Sequence, residues 1–322
     1  MRSFVRLHKR LSSADTGHVQ IRAALLAIAI GGLVAAAKTG AATLTGSASM
    51  LADAVQAWIG MFAEILMFAA YRVAQRPPDS EHPIGHGRES YVWSMLASIG
   101  MFIVGAQVGI WRGLIRLNAV DAPMDYRIGY VVLLASFVLQ AISLKQALSY
   151  ISRRAAERHH GVWEHVLGTS DAQLRTVFAD DLIALIGLGI AGIGMALHQL
   201  TGDVMFDAAG SILIGILMAI AGVLMINVNR RFLAGATASP AQRALALELL
   251  KKFPEIERVT MLYILYVGPD QVLLVARVAI AGNLDQTALA RTLRRIEQRI
   301  MERKMVVRAS LELALPEERA LA

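Results

Sequence analysis

The sequence predicts a membrane protein of two parts, an all-α domain of six transmembrane helices followed by a small cytosolic α+β domain. Hydrophobic residues make up 56% of the 322-residue chain and charged residues 18%, which is too apolar for a water-soluble protein of this length. The charges are also unevenly distributed, since the stretches 90–111, 128–144 and 208–229 contain none. The last ninety or so residues, in contrast, have the composition of a soluble domain.

Six segments are long and apolar enough to cross a bilayer. Crossing about 30 Å of hydrocarbon as a helix takes about 20 residues, because unpaired backbone groups cannot be left in lipid. The second and fifth segments are less apolar than the others, because they carry Asp53 and Glu64, and Asp180 and Asp181, respectively. The predicted spans are 23–44, 48–71, 90–112, 128–149, 177–199 and 206–228.

Lysine and arginine are concentrated in alternate connections between these spans. The N-terminal tail 1–22 and the connection 145–175 each carry five and the connection 72–89 carries three, whereas 45–50 and 198–207 carry none and 112–127 carries three. The positive-inside rule therefore predicts a multi-pass protein with both termini in the cytoplasm.

After about residue 230 the pattern is that of a soluble αββαβ domain. It predicts a helix at 240–252, strands at 257–266 and 271–280 joined by a Val-Gly-Pro-Asp turn, a helix at 285–304 and a strand at 305–313. Because this region contains no histidine or cysteine, we expect it to serve in dimerisation or docking rather than in metal sensing. The predicted domains are a cytoplasmic tail 1–22, a transmembrane domain 23–229 and a cytosolic dimerisation domain 230–322.

Composition also excludes several classes of function. No basic stripe with interleaved aromatic residues accompanies the net charge of +7, so nucleic acid is not an expected partner. The chain has no cysteine, so a metal ion would have to be bound by oxygen and nitrogen ligands. No catalytic triad or phosphate loop is recognisable, and we expect neither an enzyme nor an organic cofactor.

The connection after the second span concentrates groups that bind metals. It reads Arg-Pro-Pro-Asp-Ser-Glu-His-Pro-Ile-Gly-His-Gly-Arg-Glu and includes Asp79, His82 and His86. Imidazole and carboxylate are the usual nitrogen and oxygen ligands of first-row divalent metals, and the prolines and glycines allow the chain to bend. From the residues alone, a metal site and a polar turn without metal remain open.

Three further motifs carry a resemblance to a known family. Gly46-Ser-Ala-Ser-Met-Leu-Ala-Asp-Ala precedes the loop, Thr176-Val-x-x-x-Asp starts the fifth span, and Gly268-Pro-Asp lies in the tail. Together with the loop they resemble the cation diffusion facilitator family over nearly the whole chain. The resemblance implies a homodimer that exports divalent cations from the cytoplasm, generally in exchange for protons. It also places Asp79, His82 and His86 on the cytoplasmic-loop metal site of the family.

The resemblance further implies a tetrahedral cation site in the membrane, built from two residues of the second span and two of the fifth. The matching positions here are degenerate, because Asp181 is the only acidic ligand and Gln56 contributes only an amide. Gly60 and Val177 offer no side-chain donor.

Other acidic residues could compensate for this loss. At about 100° per residue, Asp53, Gln56, Gly60 and Glu64 fall within an arc of roughly 80°. We therefore expect the transport path to be lined by Asp53, Gln56, Asp181, Asp180 and Glu64. In the alternative, Lys38 forms a structural pair with Asp53 or Glu64, or Asp53 caps the second helix. Without imidazole, the preference shifts from zinc toward harder ions such as Fe²⁺, Mn²⁺ or Mg²⁺.

Two functional hypotheses remain at this stage. The first is a dimeric transporter that exports zinc, iron or manganese by proton antiport across the bacterial inner membrane or a membrane derived from it. The second is a transport-incompetent paralogue that assembles with or stabilises a related transporter as a heterodimer, for example in a magnetosome membrane.

Overall fold

The computed structural model describes residues 25–118, 126–157, 166 and 168–321. The predicted tail 1–22 lies outside them. Six of the described helices are long and apolar enough to cross a membrane, which confirms the predicted number of spans. They are α1 (Leu25–Thr45), α2 (Ala48–Ala74), α3 (Glu89–Leu117), α4 (Arg127–Glu157), α5 (Ala172–Thr201) and α6 (Met205–Leu233).

Most of these helices extend beyond the predicted spans, and α4 and α5 do so most. A hydropathy window ends where polar residues begin, whereas the helix continues as long as its backbone hydrogen bonds do. The helix α5 begins at Ala172, five residues before the predicted span 177–199. α3 is not uniformly α-helical, because Met101–Gly105 forms a π-helical segment.

The start of α2 is fixed by an acid on another helix. Gly46 turns the chain after α1 with a φ of +63°, in the left-handed region that favours glycine. Asp207, in the first turn of α6, then accepts hydrogen bonds from the backbone N–H groups of Ala48 and Ser49 at 2.7 and 3.3 Å. Its carboxylate also accepts from the hydroxyls of Ser47 and Ser49. Asp53 is therefore not the cap of α2, and Asp207 holds the entries of α2 and α6 together.

Helices α3 and α6 approach each other closely through glycine. A Cβ atom on Gly109 would lie 2.8 Å from the Cα of Gly215, and one on Gly113 would lie 2.7 Å from the carbonyl oxygen of Ala208. Such distances leave no room for a side chain, and small residues of this kind are common where membrane helices pack. The buried core of the membrane unit is formed by apolar side chains of several helices, including Met50, Met101, Leu133, Leu188, Met195, Ile214 and Met218.

The C-terminal domain has the predicted αββαβ order. It consists of α7 (Pro240–Lys251), β1 (Ile256–Gly268), β2 (Gln271–Ile280), α8 (Gln286–Met301) and β3 (Val306–Leu313). β2 is the central strand, antiparallel to β1 and parallel to β3. One face of the sheet packs against both helices, and the core there contains Leu247, Leu262, Leu274, Ile296 and Ile300.

The compact unit that contains this domain also includes 70–92 and 169–172. Gly87 makes a close contact with the turn between β1 and β2, because a Cβ there would lie 2.6 Å from the carbonyl oxygen of Val267. The backbone N–H of Asp270 in the same turn donates to the hydroxyl of Ser170 at 3.1 Å. The histidine-containing loop is thus part of the same unit as the small sheet.

Candidate cation-binding sites

The loop after α2 folds around the carboxylate of Asp79. Oδ1 of Asp79 accepts hydrogen bonds from the backbone N–H groups of Glu81 and His82, at 3.1 and 2.6 Å. Gly85 has a φ of +87° and donates its N–H to the carbonyl of His82 at 2.8 Å. These turns bring His86 back toward Asp79, so that the rings of His82 and His86 lie 4.1 Å apart.

The three predicted loop ligands converge with distances that suit a metal ion. Oδ1 of Asp79 lies 3.4 Å from Nδ1 of His82, and Oδ2 lies 3.4 Å from Nε2 of His86. Two ligands about 2.0–2.1 Å from a tetrahedral ion lie roughly 3.3 Å from each other. Among the described residues, these three form the group of histidines and acids whose ligand atoms all lie within 4.8 Å of one another.

The protonation of the loop also suits a cation. The backbone N–H of His82, which donates to Asp79, lowers the pKa of that carboxyl. Asp79 is therefore ionised at neutral pH, which is the form that binds a metal. His86 is buried, and its Nδ1 has no hydrogen-bond partner among the described residues. Its Nε2 is the nitrogen that faces Asp79, and it is therefore the atom placed to bind a metal ion together with that carboxylate.

In the membrane unit, Asp53 is engaged by a lysine. Nζ of Lys38 on α1 lies 2.9 Å from Oδ2 of Asp53 and 3.1 Å from Oδ1. The side chains are 3% and 0% exposed, respectively. The structure therefore shows the Lys38–Asp53 pair that the sequence left as one alternative.

Gln56 and Asp180 meet across α2 and α5 beside Gly60. A Cβ atom on Gly60 would lie 2.5 Å from Oδ2 of Asp180 and 3.0 Å from Oδ1, so the carboxylate occupies the space left by the missing side chain. Gln56 is 1% exposed and interacts with Asp180, but neither its oxygen nor its nitrogen makes a hydrogen bond of good geometry within the described part of the chain. Oδ1 of Asp180 is likewise buried and without such a partner. These atoms form an unsatisfied polar cluster inside the membrane unit.

Asp181 points away from this cluster toward α4. Its carboxylate accepts hydrogen bonds from Nε2 of Gln140 at 2.6 Å and from the hydroxyl of Ser143 at 2.7 Å. Glu64 lies one turn beyond Gly60 on α2. Its Oε2 would be 3.5 Å from a Cβ atom placed on Gly31 of α1. That oxygen is also buried and has no hydrogen-bond partner among the described residues.

The sequence treated Asp181 as the stronger candidate and missed Gln140 and Ser143. These two residues are three positions apart on one face of α4, but nothing in the sequence indicates that this face meets α5. Asp180 was among the predicted path residues, but its position beside Gly60 was not predicted, because it depends on how α2 and α5 pack.

Comparison with known proteins places the chain in a family. Residues 24–234 match the model of the cation efflux transmembrane domain. The chain therefore belongs to the cation diffusion facilitator family, and it is an integral membrane protein that crosses the bilayer several times.

Two relatives are similar to this protein over most of its chain. The mitochondrial proton-coupled zinc antiporter SLC30A9 of Xenopus laevis is 28% identical over 235 residues, which cover 73% of this chain and 42% of that protein. Metal tolerance protein C4 of Arabidopsis thaliana is 27% identical over 243 residues, which cover 76% of this chain and 53% of that protein. This chain thus spans about half or less of the length of these two relatives.

A shorter match is found in bacteria. The manganese efflux system protein MneS of Bacillus subtilis is 34% identical over 85 residues, which cover 26% of this chain and 29% of that protein.

Proposed function

We propose that this protein exports a divalent metal cation, namely zinc, iron or manganese, from the cytoplasm in exchange for protons and works as a homodimer. Family membership supports cation efflux. The names of two relatives, a proton-coupled zinc antiporter and a manganese efflux system protein, support the substrate class and the coupling. The charge asymmetry of the connections supports cytoplasmic termini, and we propose a bacterial inner membrane or a membrane derived from it as the location.

The observation that carries this proposal is the unsatisfied polar cluster formed by Gln56 and Asp180. Buried polar atoms are nearly always hydrogen-bonded, and in a membrane the cost of leaving them unpaired is high. Oxygens of an amide and a carboxylate that face each other across two helices are suitable ligands for a hard cation. Glu64 provides a further carboxylate on the same face of α2. We assign the transported ion to Gln56, Asp180 and Glu64, whereas the Asp181 carboxylate is hydrogen-bonded to α4.

The same ligands favour manganese and iron over zinc. Each proposed donor is an oxygen, whereas zinc is bound most often by imidazole and thiolate. Asp53 is left out of the proposed ligands because its carboxylate forms a buried ion pair with Lys38.

We assign a second, resident metal ion to the loop. Asp79, His82 and His86 would bind it, and such an ion would fix the fold of the loop rather than travel through the membrane. The mixed nitrogen and oxygen ligands suit zinc, in contrast to the all-oxygen cluster between α2 and α5.

The open face of the small sheet supports the homodimer. Tyr263 pairs with Val275, and Leu265 with Leu273, across β1 and β2. These apolar side chains point away from α7 and α8, and Tyr263 is 51% exposed. A contiguous apolar surface of this kind is typical of a contact between proteins.

Metal flux in proteoliposomes tests the transport proposal. We expect the wild-type protein to move Mn²⁺ and Fe²⁺ against a pH gradient, and Asp180→Asn to reduce the flux by at least about tenfold, because one charged ligand is lost. Asp203→Asn is the matched control, since Asp203 is exposed and caps the start of α6, as asparagine can. Asp181→Asn in the same assay shows which of the two neighbouring acids binds the ion.

The assay has two outcomes that oppose the proposal. Loss of flux in Asp181→Asn but not in Asp180→Asn would move the ion to the side of α4. Leak-level flux of zinc, iron and manganese in the wild-type protein would favour the transport-incompetent paralogue, especially if the protein co-purifies with a related transporter.

A further inference from the structure

The buried pair of Lys38 and Asp53 lies beside the proposed cation site. An alanine-like Cβ on Gly187 of α5 would lie 3.6 Å from Oε1 of Gln56 and 3.8 Å from Oδ1 of Asp53. The two oxygens therefore border the same small space. If Asp53 were free, it could bind the same ion as Gln56.

Lys38 keeps Asp53 from doing so. Its ammonium group contacts both oxygens of the carboxylate, at 2.9 and 3.1 Å, and both residues are almost fully buried. Breaking a buried ion pair leaves a charge without compensation, which is strongly unfavourable. The ammonium group of Lys38 thus takes the position at Asp53 that an incoming metal ion would otherwise occupy.

Other acids lie near the pair of Lys38 and Asp53. Asp180 interacts electrostatically with Lys38, and also with Asp181 and Glu64. Without Lys38, the four acids in this part of the membrane unit would have no lysine beside them to balance their charge. A site with that many carboxylates would hold a divalent ion tightly, whereas transport requires binding that is weak enough for release.

We propose that Lys38 is a tethered counter-cation that withholds Asp53 from the transported ion and so keeps the affinity of the site low enough for turnover. This inference rests on the proposed transport of a divalent cation at Gln56 and Asp180. Lys38 is thus a positioning residue that acts through Asp53, and it does not touch the ion itself.

Three variants measured by Mn²⁺ flux in proteoliposomes test this inference. In Lys38→Gln, Asp53 becomes available as a ligand, so KM falls by at least about tenfold and the maximal rate falls with it, because an additional charged ligand slows release. Lys38→Arg retains the cation and keeps KM within about twofold of wild type. The double variant K38Q/D53N also keeps the wild-type KM, because Asp53 does not bind the ion in the wild-type protein.

The double variant keeps the inference falsifiable if Lys38→Gln does not fold. An increase of KM by tenfold or more in K38Q/D53N would show that Asp53 binds the ion directly, and would overturn the inference. A folded Lys38→Gln variant with an unchanged KM would overturn it as well. Both results are distinct from failure of the transport proposal, which would appear as the absence of flux in the wild-type protein.

Discussion

Two neighbouring acids on α5 have different surroundings. Successive residues of a helix are separated by about 100°, so the side chains of Asp180 and Asp181 leave α5 in different directions. Asp181 is hydrogen-bonded to Gln140 and Ser143 of α4, whereas Asp180 occupies the space beside Gly60 of α2. Asp181 thus ties two helices together, whereas Oδ1 of Asp180 has no hydrogen-bond partner among the described residues.

The position of the Asp180 carboxylate depends on the absence of a side chain at Gly60. A methyl group there would meet the Asp180 carboxylate at 2.5 Å, and this flexible carboxylate would move rather than the backbone. We expect Gly60→Ala to reduce Mn²⁺ flux by about tenfold or more, while the thermal stability in detergent changes little. At an effective dielectric constant near 20, moving a unit charge away from a divalent ion costs enough energy to account for a tenfold loss of flux.

Gly189→Ala is the matched control for this variant. It lies on α5, and a Cβ there would meet nothing within 4 Å. If Gly60→Ala and Gly189→Ala retained equal flux, the ion would not depend on the position of the Asp180 carboxylate.

The histidine loop is predicted to bind its ion independently of transport. His86→Ala removes one of three ligands, so the stabilisation of the protein by Zn²⁺ should fall, since a ligand stabilises according to its concentration relative to its Kd. We expect the rise in melting temperature on addition of Zn²⁺ to be mostly lost in His86→Ala. Glu81→Gln, in the same loop, is exposed and does not belong to the group, and it should keep the full shift. An equal shift of the melting temperature in both variants would show that the loop does not bind the Zn²⁺ ion through His86.

At the scale of elements, the membrane unit is held by polar contacts between helix ends. The carboxylate of Asp207 accepts from two backbone N–H groups and two hydroxyls at the start of α2. It is fully buried, so its removal would take this acceptor from the backbone N–H groups of Ala48 and Ser49 at the start of α2. The position of Gln56 depends on this cap, because Gln56 lies little more than two turns along the same helix.

Removal of the cap should therefore affect both stability and transport. We expect Asp207→Ala to lower the free energy of unfolding by at least about 2 kcal/mol, from the combined loss of a helix cap and of buried hydrogen bonds. Asp203→Ala removes an exposed cap, the acceptor of the Met205 N–H at the start of α6, and should cost about 1 kcal/mol or less. The comparison is made by thermal unfolding in detergent. A cost for Asp207→Ala no greater than that for Asp203→Ala would show that the four contacts contribute little.

At the scale of the whole molecule, the sequence predicted the architecture well. Six apolar stretches and the αββαβ order were visible because hydropathy and periodicity are local properties of the chain. The loop ligands Asp79, His82 and His86 were also visible, since they lie within eight residues of one another. The pairing of Lys38 with Asp53, and the separate directions of Asp180 and Asp181, depend on how helices rotate against each other. That rotation is set by contacts between distant residues such as Gly60 and Asp180, which no local pattern reveals.

The open face of the small sheet leads to a prediction about the assembled protein. If two copies associate through Tyr263, Leu265, Leu273 and Val275, a charge in the middle of this surface would be buried without a partner, which is strongly unfavourable. We expect Leu273→Glu to shift the full-length protein from dimer to monomer in detergent, measured by light scattering after size-exclusion chromatography. Leu245→Glu is the matched control, because Leu245 is 63% exposed on α7, away from this face. It should leave the dimer intact. A Leu273→Glu protein that remains dimeric would show that the copies associate through another surface, and a wild-type protein that is monomeric would remove the homodimer from the proposed function.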